Sequence, residues 1–172
     1  MDLRSKIRNI PDFPVKGIQF KDITTLLRDK DAFRYSIDQI TEHCRSLKID
    51  YIAGIEARGF VIGAPVAYNL NIGFLLIRKK GRLPADVEKI SYQLEYGENV
   101  LEIHRDAFQE GSRIMVIDDL LATGGTTLAV FKLIEKLGGK VVGADFIIEL
   151  EMLKGREKLK GYEIFSLVKY NI

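Results

Sequence analysis

The chain has 172 residues, of which 47% are hydrophobic and 29% charged, and this composition excludes disordered, collagen-like and disulfide-scaffold proteins. At roughly 150 residues per domain, the length predicts a single domain. Lysine and arginine number 26 against 24 acidic residues, so the formal charge is only +2. A general nucleic-acid-binding role usually needs a clear basic excess, and we therefore expect no nucleic-acid partner.

Two features of the sequence indicate the cellular compartment. The chain contains one cysteine, Cys44, so it cannot form an internal disulfide bond, and this fits a reducing cytoplasm. Residues 1–9 are charged and lack the apolar core of a signal peptide, and no apolar run reaches the ~18 residues that a membrane-spanning helix requires. We expect a soluble cytoplasmic protein without a membrane partner.

Apolar strand-like runs alternate with helical patterns along most of the chain. Residues 9–22 come first and are too irregular for a helix, because they contain Pro11, Pro14 and Gly17, and we expect this segment to cover the site. Asp29 or Asp31 can cap the first long helix. The predicted elements from there are a helix through residues 33–47, a strand at 51–55, a helix at 59–70, strands at 73–77 and 113–117, a helix at 125–137, and strands at 141–148 and 164–168.

The order of these elements predicts an α/β fold with a mostly parallel sheet. The strands are short and apolar without alternation, which is typical of strands covered by helices on both faces. Ligands of such sheets bind at the carboxyl ends of the strands. The loops that follow Ile55, Ile77, Ile117 and Ile148 are therefore the places to expect a site.

Residues 78–97 interrupt the alternation. They carry many charges, Gly81 and Pro84, and little periodicity, and a loop of this length in a small domain is usually a functional lid or a mobile segment. We expect a flexible lid loop there, followed by a half-exposed strand at residues 101–104.

The most informative stretch is VIDDLLATGGTT at residues 116–127. A buried strand ends in Asp118 and Asp119, and a loop of small residues then begins a helix. The glycines let backbone N–H groups approach an anion, the threonine hydroxyls add donors, and the helix N-terminus adds positive potential. No lysine follows the glycines, which excludes a nucleoside-triphosphate P-loop, and the dinucleotide pattern G-x-G-x-x-G is absent.

A carboxylate pair beside an anion site suits three kinds of partner: ribose hydroxyls, a magnesium ion, or a sugar carbon that becomes cationic during reaction. The structural alternative is a tight strand-to-helix turn in which Asp119 is a helix cap and the glycines only ease the bend.

This string closely resembles the phosphoribosyl-diphosphate motif of the type I phosphoribosyltransferases. The resemblance implies that Asp118 and Asp119 hold the ribose 2′ and 3′ hydroxyls and favour an oxocarbenium-like transition state. It implies that magnesium enters mainly with the diphosphate substrate. The 5′-phosphate would bind the loop residues Ala122, Thr123, Gly124, Gly125 and Thr126.

Further stretches resemble the members of this family that act on adenine. Residues 12–23 resemble their base-binding segment, residues 54–60 their pyrophosphate loop, and residues 91–97 their catalytic lid. With residues 76–81 and 153–159 the match runs nearly from end to end. It implies a single domain over residues 1–172, with a base-binding hood at 1–30, a lid at 78–97, transfer of the phosphoribosyl group to adenine in purine salvage, and a homodimer.

The family's diphosphate site implies basic partners. Arg58 can bind a diphosphate bidentately, although it could instead cap a helix or pair with Glu56. The resemblance places Glu56 and Ala57 in the same loop and implies a cis peptide bond between them. The cluster Arg78, Lys79 and Lys80 could attract the diphosphate, and the alternative is a solvated basic face.

The base site is implied by two segments. Phe20 could stack on the purine or could simply pack, and in the family the backbone groups flanking this aromatic, here Gln19 and Lys21, read the adenine edge. Glu95 in the lid could exchange a proton with the base, or be an ordinary surface glutamate. Tyr96 could orient Glu95 or reach across a dimer interface.

No metal ligand is predicted from the protein itself. His43 and His104 match no motif, and no His/Cys/Asp grouping has the spacing of a zinc site.

Two rival functions remain at this point. One is a sister enzyme that uses xanthine, hypoxanthine or guanine, bases that carry an oxygen at the purine C6 position. The other is a regulator of transcription that senses phosphoribosyl diphosphate. Such a regulator would need an added DNA-binding module and a basic surface, and neither is visible in this sequence.

Overall fold

The structure, a computed structural model, describes residues 1–94 and 97–171. Its strands are β1 (Arg8–Pro11), β2 (Gln19–Asp22), β3 (Tyr51–Ile55), β4 (Gly73–Lys79), β5 (Val87–Leu94), β6 (Gly97–His104), β7 (Arg113–Leu121), β8 (Lys140–Leu150) and β9 (Glu163–Tyr170). Its helices are α1 (Thr24–Arg28), α2 (Lys30–Arg45), α3 (Arg58–Leu70) and α4 (Gly125–Lys136), with 3-10 turns at Arg4–Lys6, Glu151–Leu153 and Gly155–Leu159.

Seven of the strands form one sheet in the order β5-β6-β4-β3-β7-β8-β9. From β4 to β9 all neighbours run parallel, whereas β6 is antiparallel to both β4 and β5. The expectation of a mostly parallel sheet is confirmed. Strands β1 and β2 form a separate antiparallel ribbon over residues 8–22, where for residues 9–22 the sequence predicted only the absence of a helix.

Helices cover the parallel part of the sheet on both faces, as predicted. Successive residues of a strand point to opposite faces. Met115 and Ile117 therefore pack on the side of α2 and α3, while Ile114 and Val116 pack on the side of α4. Asp29 caps α2, because its carboxylate accepts hydrogen bonds from the backbone N–H groups of Asp31 and Ala32.

The prediction of an irregular lid over residues 78–97 is wrong for residues 87–94. They form β5, which pairs with β6 along its whole length in a hairpin. Inward positions Glu88, Ile90 and Tyr92 alternate with exposed Lys89 and Ser91. The alternation is hidden in the sequence because one inward position is a glutamate, which the structure neutralises by pairing it with Lys136 and Arg105.

Among the described residues, no helix is long and apolar enough to cross a membrane.

Candidate active site

A cavity of about 370 Å³ opens at the carboxyl ends of β3, β4 and β7. This is the edge of the sheet at which the sequence predicts ligand binding. The lining comes from the β3–α3 loop, the end of β4, the β5–β6 hairpin, the end of β7 and the start of α4. The lining residues are Ile55, Glu56, Ala57, Arg58, Lys79, Tyr92, Asn99, Val100, Leu101, Asp118, Asp119 and Thr126.

The loop between β7 and α4, residues 122–126, has the geometry of an anion site. Helix α4 begins at Gly125, and the residue before it, Gly124, has no side chain to cap the first N–H groups. Among the described residues no side chain caps these donors, which lie at the positive end of the helix dipole. Gly124 has φ +79°, and a Cβ there would lie 2.5 Å from the carbonyl oxygen of Gly155. Glycine is therefore required both for the turn and for the close approach.

A 3-10 turn, Gly155–Leu159, supports this loop from behind. A Cβ on Gly155 would collide with the carbonyl oxygen of Ala122, so the two backbones touch directly. Arg156 holds the turn by donating to both carboxylate oxygens of buried Glu149, at 2.9 and 2.5 Å, and to the carbonyl oxygen of Ile164 at 2.7 Å. In the sequence analysis, residues 153–159 were part of the family match by resemblance alone. The structure shows that they support the phosphate loop.

Glu149 is ionised in its buried position. Burial acts to raise the pKa of its carboxyl group, but the hydrogen bonds and charge of Arg156 outweigh burial and leave that pKa below its usual value. A buried, bidentate arginine–carboxylate pair is a strong and directional contact. It fixes β8, β9 and the turn relative to one another beneath the phosphate loop.

Arg58 and Asp119 form an ion pair inside the cavity. The Arg58 Nε group donates to Oδ2 of Asp119, which is buried, while Arg58 is half-exposed. Burial acts to lower the pKa of the Arg58 guanidinium, but the carboxylates of Asp119, Asp118 and Asp22 raise it above its usual value. The pairing with Glu56 that the sequence left open is not the one the structure contains.

Glu56 instead holds the end of β4. Its carboxylate accepts a hydrogen bond from the backbone N–H of Lys79 at 2.5 Å and lies 3.5 Å from the guanidinium of Arg78. Burial acts to raise the pKa of Glu56, and these partners bring it below its usual value. The peptide bond between Glu56 and Ala57 is cis, which confirms the bond implied by the resemblance.

The two adjacent aspartates at the end of β7 differ in environment. Burial and the neighbouring charge of Asp119 raise the pKa of the Asp118 carboxyl well above its usual value. The backbone N–H of Asp119 donates to Oδ1 of Asp118 at 2.9 Å. Among the described residues, Asp118 has no cationic partner, whereas Asp119 is paired with Arg58.

The comparisons with known proteins agree with this geometry. Residues 22–168 match the family described as the phosphoribosyl transferase domain.

The chain belongs to the phosphoribosyltransferase family. Relatives include the adenine phosphoribosyltransferases of Clostridium kluyveri, 58% identical, and Clostridium acetobutylicum, 53% identical, each over all of both chains. Among solved structures, the adenine phosphoribosyltransferase of Thermoanaerobacter pseudethanolicus has a TM-score of 0.95 at 53% identity, covering 98% of each chain. The Saccharomyces cerevisiae enzyme, solved with an iminoaltritol bisphosphate and adenine, has a TM-score of 0.92 at 38% identity, covering 96% of each.

The β5–β6 hairpin of this phosphoribosyltransferase adds two polar residues that sequence reasoning missed. Tyr92 and Asn99 are directly paired across the hairpin, and both line the cavity. The Tyr92 hydroxyl lies 3.1 Å from Oγ1 of Thr126 in the phosphate loop. The alternation through Glu88, Ile90 and Tyr92 is the sequence signal that could have revealed an inward-facing tyrosine.

The implied base-binding residues lie elsewhere in the phosphoribosyltransferase. Among the described residues that line the cavity, none comes from the β2 segment that contains Gln19, Phe20 and Lys21. Phe20 packs edge to face on Phe13, with ring centroids 5.1 Å apart. The side chains of Gln19 and Lys21 both hydrogen-bond to Asn9 within the ribbon.

The structure separates the three residues of the basic cluster. Lys79 lines the cavity, and the Arg78 guanidinium turns to Glu56 and to the carbonyl oxygen of Arg82. Lys80 is exposed on the following loop. The two lid residues of the sequence analysis, Glu95 and Tyr96, lie outside the described residues.

Proposed function

We propose that this chain transfers the 5-phosphoribosyl group from phosphoribosyl diphosphate to adenine, forming AMP and pyrophosphate in purine salvage. One observation carries the proposal: a carboxylate pair, Asp118 and Asp119, shares one cavity with the N-terminus of α4 and with Arg58. A sugar with an anionic group at either end needs this arrangement. Relatives named adenine phosphoribosyltransferase, 53–58% identical along the whole chain, support adenine as the base.

The phosphate loop binds the 5′-phosphate in this proposal. Residues Ala122, Thr123, Gly124, Gly125 and Thr126 offer free N–H groups and hydroxyls at the positive end of α4. Asp118 and Asp119 accept hydrogen bonds from the ribose hydroxyls. As the bond to the diphosphate breaks, positive charge develops on the anomeric carbon, and these two fixed carboxylates stabilise it.

Arg58 changes partners when the substrate binds. In the structure it neutralises Asp119. The incoming diphosphate offers Arg58 a doubly anionic, bidentate partner, while the ribose hydroxyls replace Arg58 on Asp119. The exchange leaves half-exposed Arg58 paired with an anion and buried Asp119 hydrogen-bonded at each stage, so the cost of desolvation is limited. Lys79 at the end of β4 adds positive charge to the diphosphate side.

Magnesium enters with the diphosphate in this proposal, and the cavity residues fit a substrate-held ion. Carboxylate oxygens are ligands that Mg²⁺ prefers, but Asp119 is taken by Arg58 and Glu56 by the Lys79 N–H. Asp118 is the lining carboxylate without a cationic partner among the described residues. When bound, the ion neutralises the charge of the leaving diphosphate.

The base is held by the hood and the hairpin. Phe20, which packs on Phe13 in the structure, stacks on adenine when the base binds, and the backbone groups of Gln19 and Lys21 read the edge of the base. Glu95 exchanges a proton with the imidazole nitrogens of the purine, and Tyr96 either orients Glu95 or reaches across the dimer interface. Tyr92 and Asn99 line the cavity on the hairpin side and exclude water from the reacting sugar.

The functional unit in this proposal is a cytoplasmic homodimer. Helix α3 and strand β4 leave three large apolar side chains exposed, namely Val61 at 44%, Tyr68 at 86% and Leu76 at 41%. Exposed apolar residues on adjacent elements are a feature of subunit interfaces. The single thiol, Cys44, fits a reducing compartment.

Steady-state assays with phosphoribosyl diphosphate and a panel of purines test the function. We expect AMP and pyrophosphate from adenine, and a kcat/KM for hypoxanthine, guanine and xanthine lower by about 10⁴-fold or more, because a site that hydrogen-bonds an amine rejects a C6 oxygen. Preference for any 6-oxopurine would contradict the adenine assignment but keep the family reaction. Failure to release pyrophosphate with every base would contradict both.

A further inference from the structure

A second cluster of reactive side chains lies outside the cavity, between α2 and the sheet. It consists of His43 and Cys44 on α2 and Asp145 on β8, and it is defined here as the α2–β8 cluster. Oδ2 of Asp145 lies 3.0 Å from Nδ1 of His43 and 3.2 Å from Sγ of Cys44. All three potential donor atoms lie within 4.8 Å of one another. None of the three residues lines the cavity of the proposed reaction.

Asp145 is an unusual residue for its position. Its side chain is fully buried in the central sheet, where a carboxylate is costly unless all its lone pairs are satisfied. Oδ2 accepts a hydrogen bond from the Cys44 thiol and lies within hydrogen-bond distance of His43 Nδ1, but Oδ1 is buried and has no hydrogen-bond partner among the described residues. The cluster thus has one carboxylate oxygen more than its hydrogen bonds use.

His43 is held in place on its far side. Its Nε2 atom lies 3.5 Å from a carboxylate oxygen of Glu163, and its ring stacks on Phe165 with centroids 4.4 Å apart. A carboxylate behind one ring nitrogen fixes the tautomer that leaves the other nitrogen free to bind a metal, an arrangement common around metal-bound histidines. The Glu163 carboxylate thus faces Nε2 on one side of the ring, while Nδ1 lies 3.0 Å from Oδ2 of Asp145 on the other.

We propose that the α2–β8 cluster binds a divalent transition-metal ion of the zinc type through His43 Nδ1, Cys44 Sγ and the Asp145 carboxylate. Nitrogen, thiolate and carboxylate donors suit Zn²⁺ and Co²⁺ and do not suit Mg²⁺, which selects oxygen. Zinc–ligand bonds of about 2.0–2.3 Å place neighbouring ligand atoms roughly 3.3–3.7 Å apart in a tetrahedron. The two separations of 3.0 and 3.2 Å are close to this spacing.

The proton balance of this binding is simple. The metal displaces the thiol proton of Cys44 and the proton shared between His43 Nδ1 and Asp145, and both go to solvent. Oδ1 of Asp145 becomes available as a second carboxylate ligand or as acceptor for a metal-bound water. His43 is partly exposed whereas Cys44 and Asp145 are buried, so the ion would have to exchange with solvent on the His43 side.

A cobalt titration of the tag-free, metal-stripped chain tests the proposal directly. Co²⁺ bound to a thiolate gives a near-ultraviolet charge-transfer absorption, and Cys44 is the only cysteine of the chain, so such a band can come from no other residue. We expect the band to saturate at a single equivalent of Co²⁺, to disappear on addition of Zn²⁺, and to persist in an excess of Mg²⁺.

Single substitutions identify the ligands. Cys44→Ser should abolish the band, and His43→Gln should weaken Co²⁺ binding by at least about tenfold. His104→Gln, which changes the only other histidine, is the matched control and should bind as the wild type does. Circular dichroism and thermal melting check that each variant folds.

The opposite results would overturn the proposal. They are the absence of a thiolate band in the wild-type chain at excess Co²⁺, or equal binding by the His43→Gln and His104→Gln variants, and either would leave a purely hydrogen-bonded cluster. If Cys44→Ser does not fold, the thiolate band of the wild-type chain and its loss on addition of Zn²⁺ still test whether the cluster binds metal. Because the readout is spectroscopic, it does not depend on the proposed phosphoribosyl transfer.

Discussion

At the residue scale, Asp119 combines a structural contact with a proposed role in the reaction. It is buried and paired with Arg58, and in the proposed reaction it also holds the ribose. Substitution of a residue with only a structural role, such as a helix cap, would lower the stability of the fold more than the activity. Asp119 is not the cap of α4, since Gly124 occupies that position. The alternative interpretation of the sequence, in which Asp119 serves only as a helix cap, therefore does not fit the structure.

Asp119→Asn should lower kcat/KM for the conversion of adenine into AMP by about 10²-fold or more, because a neutral amide stabilises an oxocarbenium-like carbon poorly. Arg58 is half-exposed and can be solvated when its partner is lost, so we expect the free energy of unfolding to change by only about 1 kcal/mol. Asp106→Asn, at an exposed position, is the control for kinetics and urea unfolding. Loss of folding with loss of activity would argue for the structural part instead.

Tyr92 couples the hairpin to the phosphate loop through a single hydroxyl. Tyr92→Phe removes that hydrogen bond and keeps the ring, so we expect the KM for phosphoribosyl diphosphate to rise roughly 2- to 10-fold, while the KM for adenine changes little. Tyr68→Phe, at a highly exposed ring, is the matched control. Equal changes in the two KM values would show that Tyr92 does not act on the phosphate side.

The turn Gly155–Leu159 and the pair Glu149–Arg156 show how elements remote in sequence build the site. The phosphate loop takes its shape from backbone contact with Gly155, and Arg156 anchors Gly155 to β8. The motif at residues 116–127 contains the donors of the site, but this second turn determines where they lie. The hairpin has a similar anchor, since Glu88 on β5 pairs with Lys136 of α4 at 2.7 Å.

The Glu149–Arg156 pair makes stability depend on pH in the acid range. The pKa of Glu149 is lower in the folded chain than its ordinary value of 4.5, so the unfolded chain binds more protons in that range. Its contribution is therefore complete above about pH 4.5 and is lost as the pH falls through the folded value. Thermal melts should show Glu149→Gln less stable than wild type at pH 7, with the difference shrinking on acidification.

The exposed neighbour Glu157 provides the control for this pH dependence. Glu157→Gln should melt like the wild type at every pH, because among the described residues its carboxyl group has no hydrogen-bond or ion-pair partner. A difference between wild type and Glu149→Gln that stays constant from neutral to acid pH would contradict the assignment.

On the scale of the whole molecule, a net charge of +2 conceals a concentration of opposite charges in one cavity. Arg58 and Lys79 line the same cavity as Asp118 and Asp119, and Arg58 is ion-paired with Asp119. The apolar surface is also uneven, because Val61, Tyr68 and Leu76 are exposed on α3 and β4. In the proposed function, the charged cavity binds the substrate and the exposed apolar residues form the homodimer interface.

Light scattering after gel filtration should give a mass near twice 19.5 kDa for the chain. Val61→Asp should shift the mass toward that of one chain, since a buried unpaired carboxylate at an interface costs several kcal/mol. Met152→Asp, which also charges an exposed apolar residue but lies on the 3-10 turn after β8, should leave the dimer intact. A wild-type chain that runs as a monomer would contradict the homodimer.

Local patterns determined most of the fold and the centre of the site. The apolar runs at residues 113–117 and 141–148 and the helix after Gly124 form as predicted, because periodicity and chain breakers act within a few residues. The carboxylate pair and the phosphate loop are also contiguous in sequence, so their chemistry can be predicted without knowledge of the fold. The hairpin strand 87–94 was missed because buried Glu88 breaks its pattern, and only packing on Lys136 explains it.

Tertiary structure alone decided the contacts between distant residues. Arg58 pairs with Asp119 across 61 positions, and His43 meets Asp145 across 102. The contact of Gly155 with Gly124 likewise needs β8 to run its full length before the chain turns back. No local signal encodes such pairs, because they form only when the free energy of burying two faces of the sheet brings separate elements together. Sequence by itself therefore determined the family and its motifs, and packing decided which charges are paired and which side chains meet.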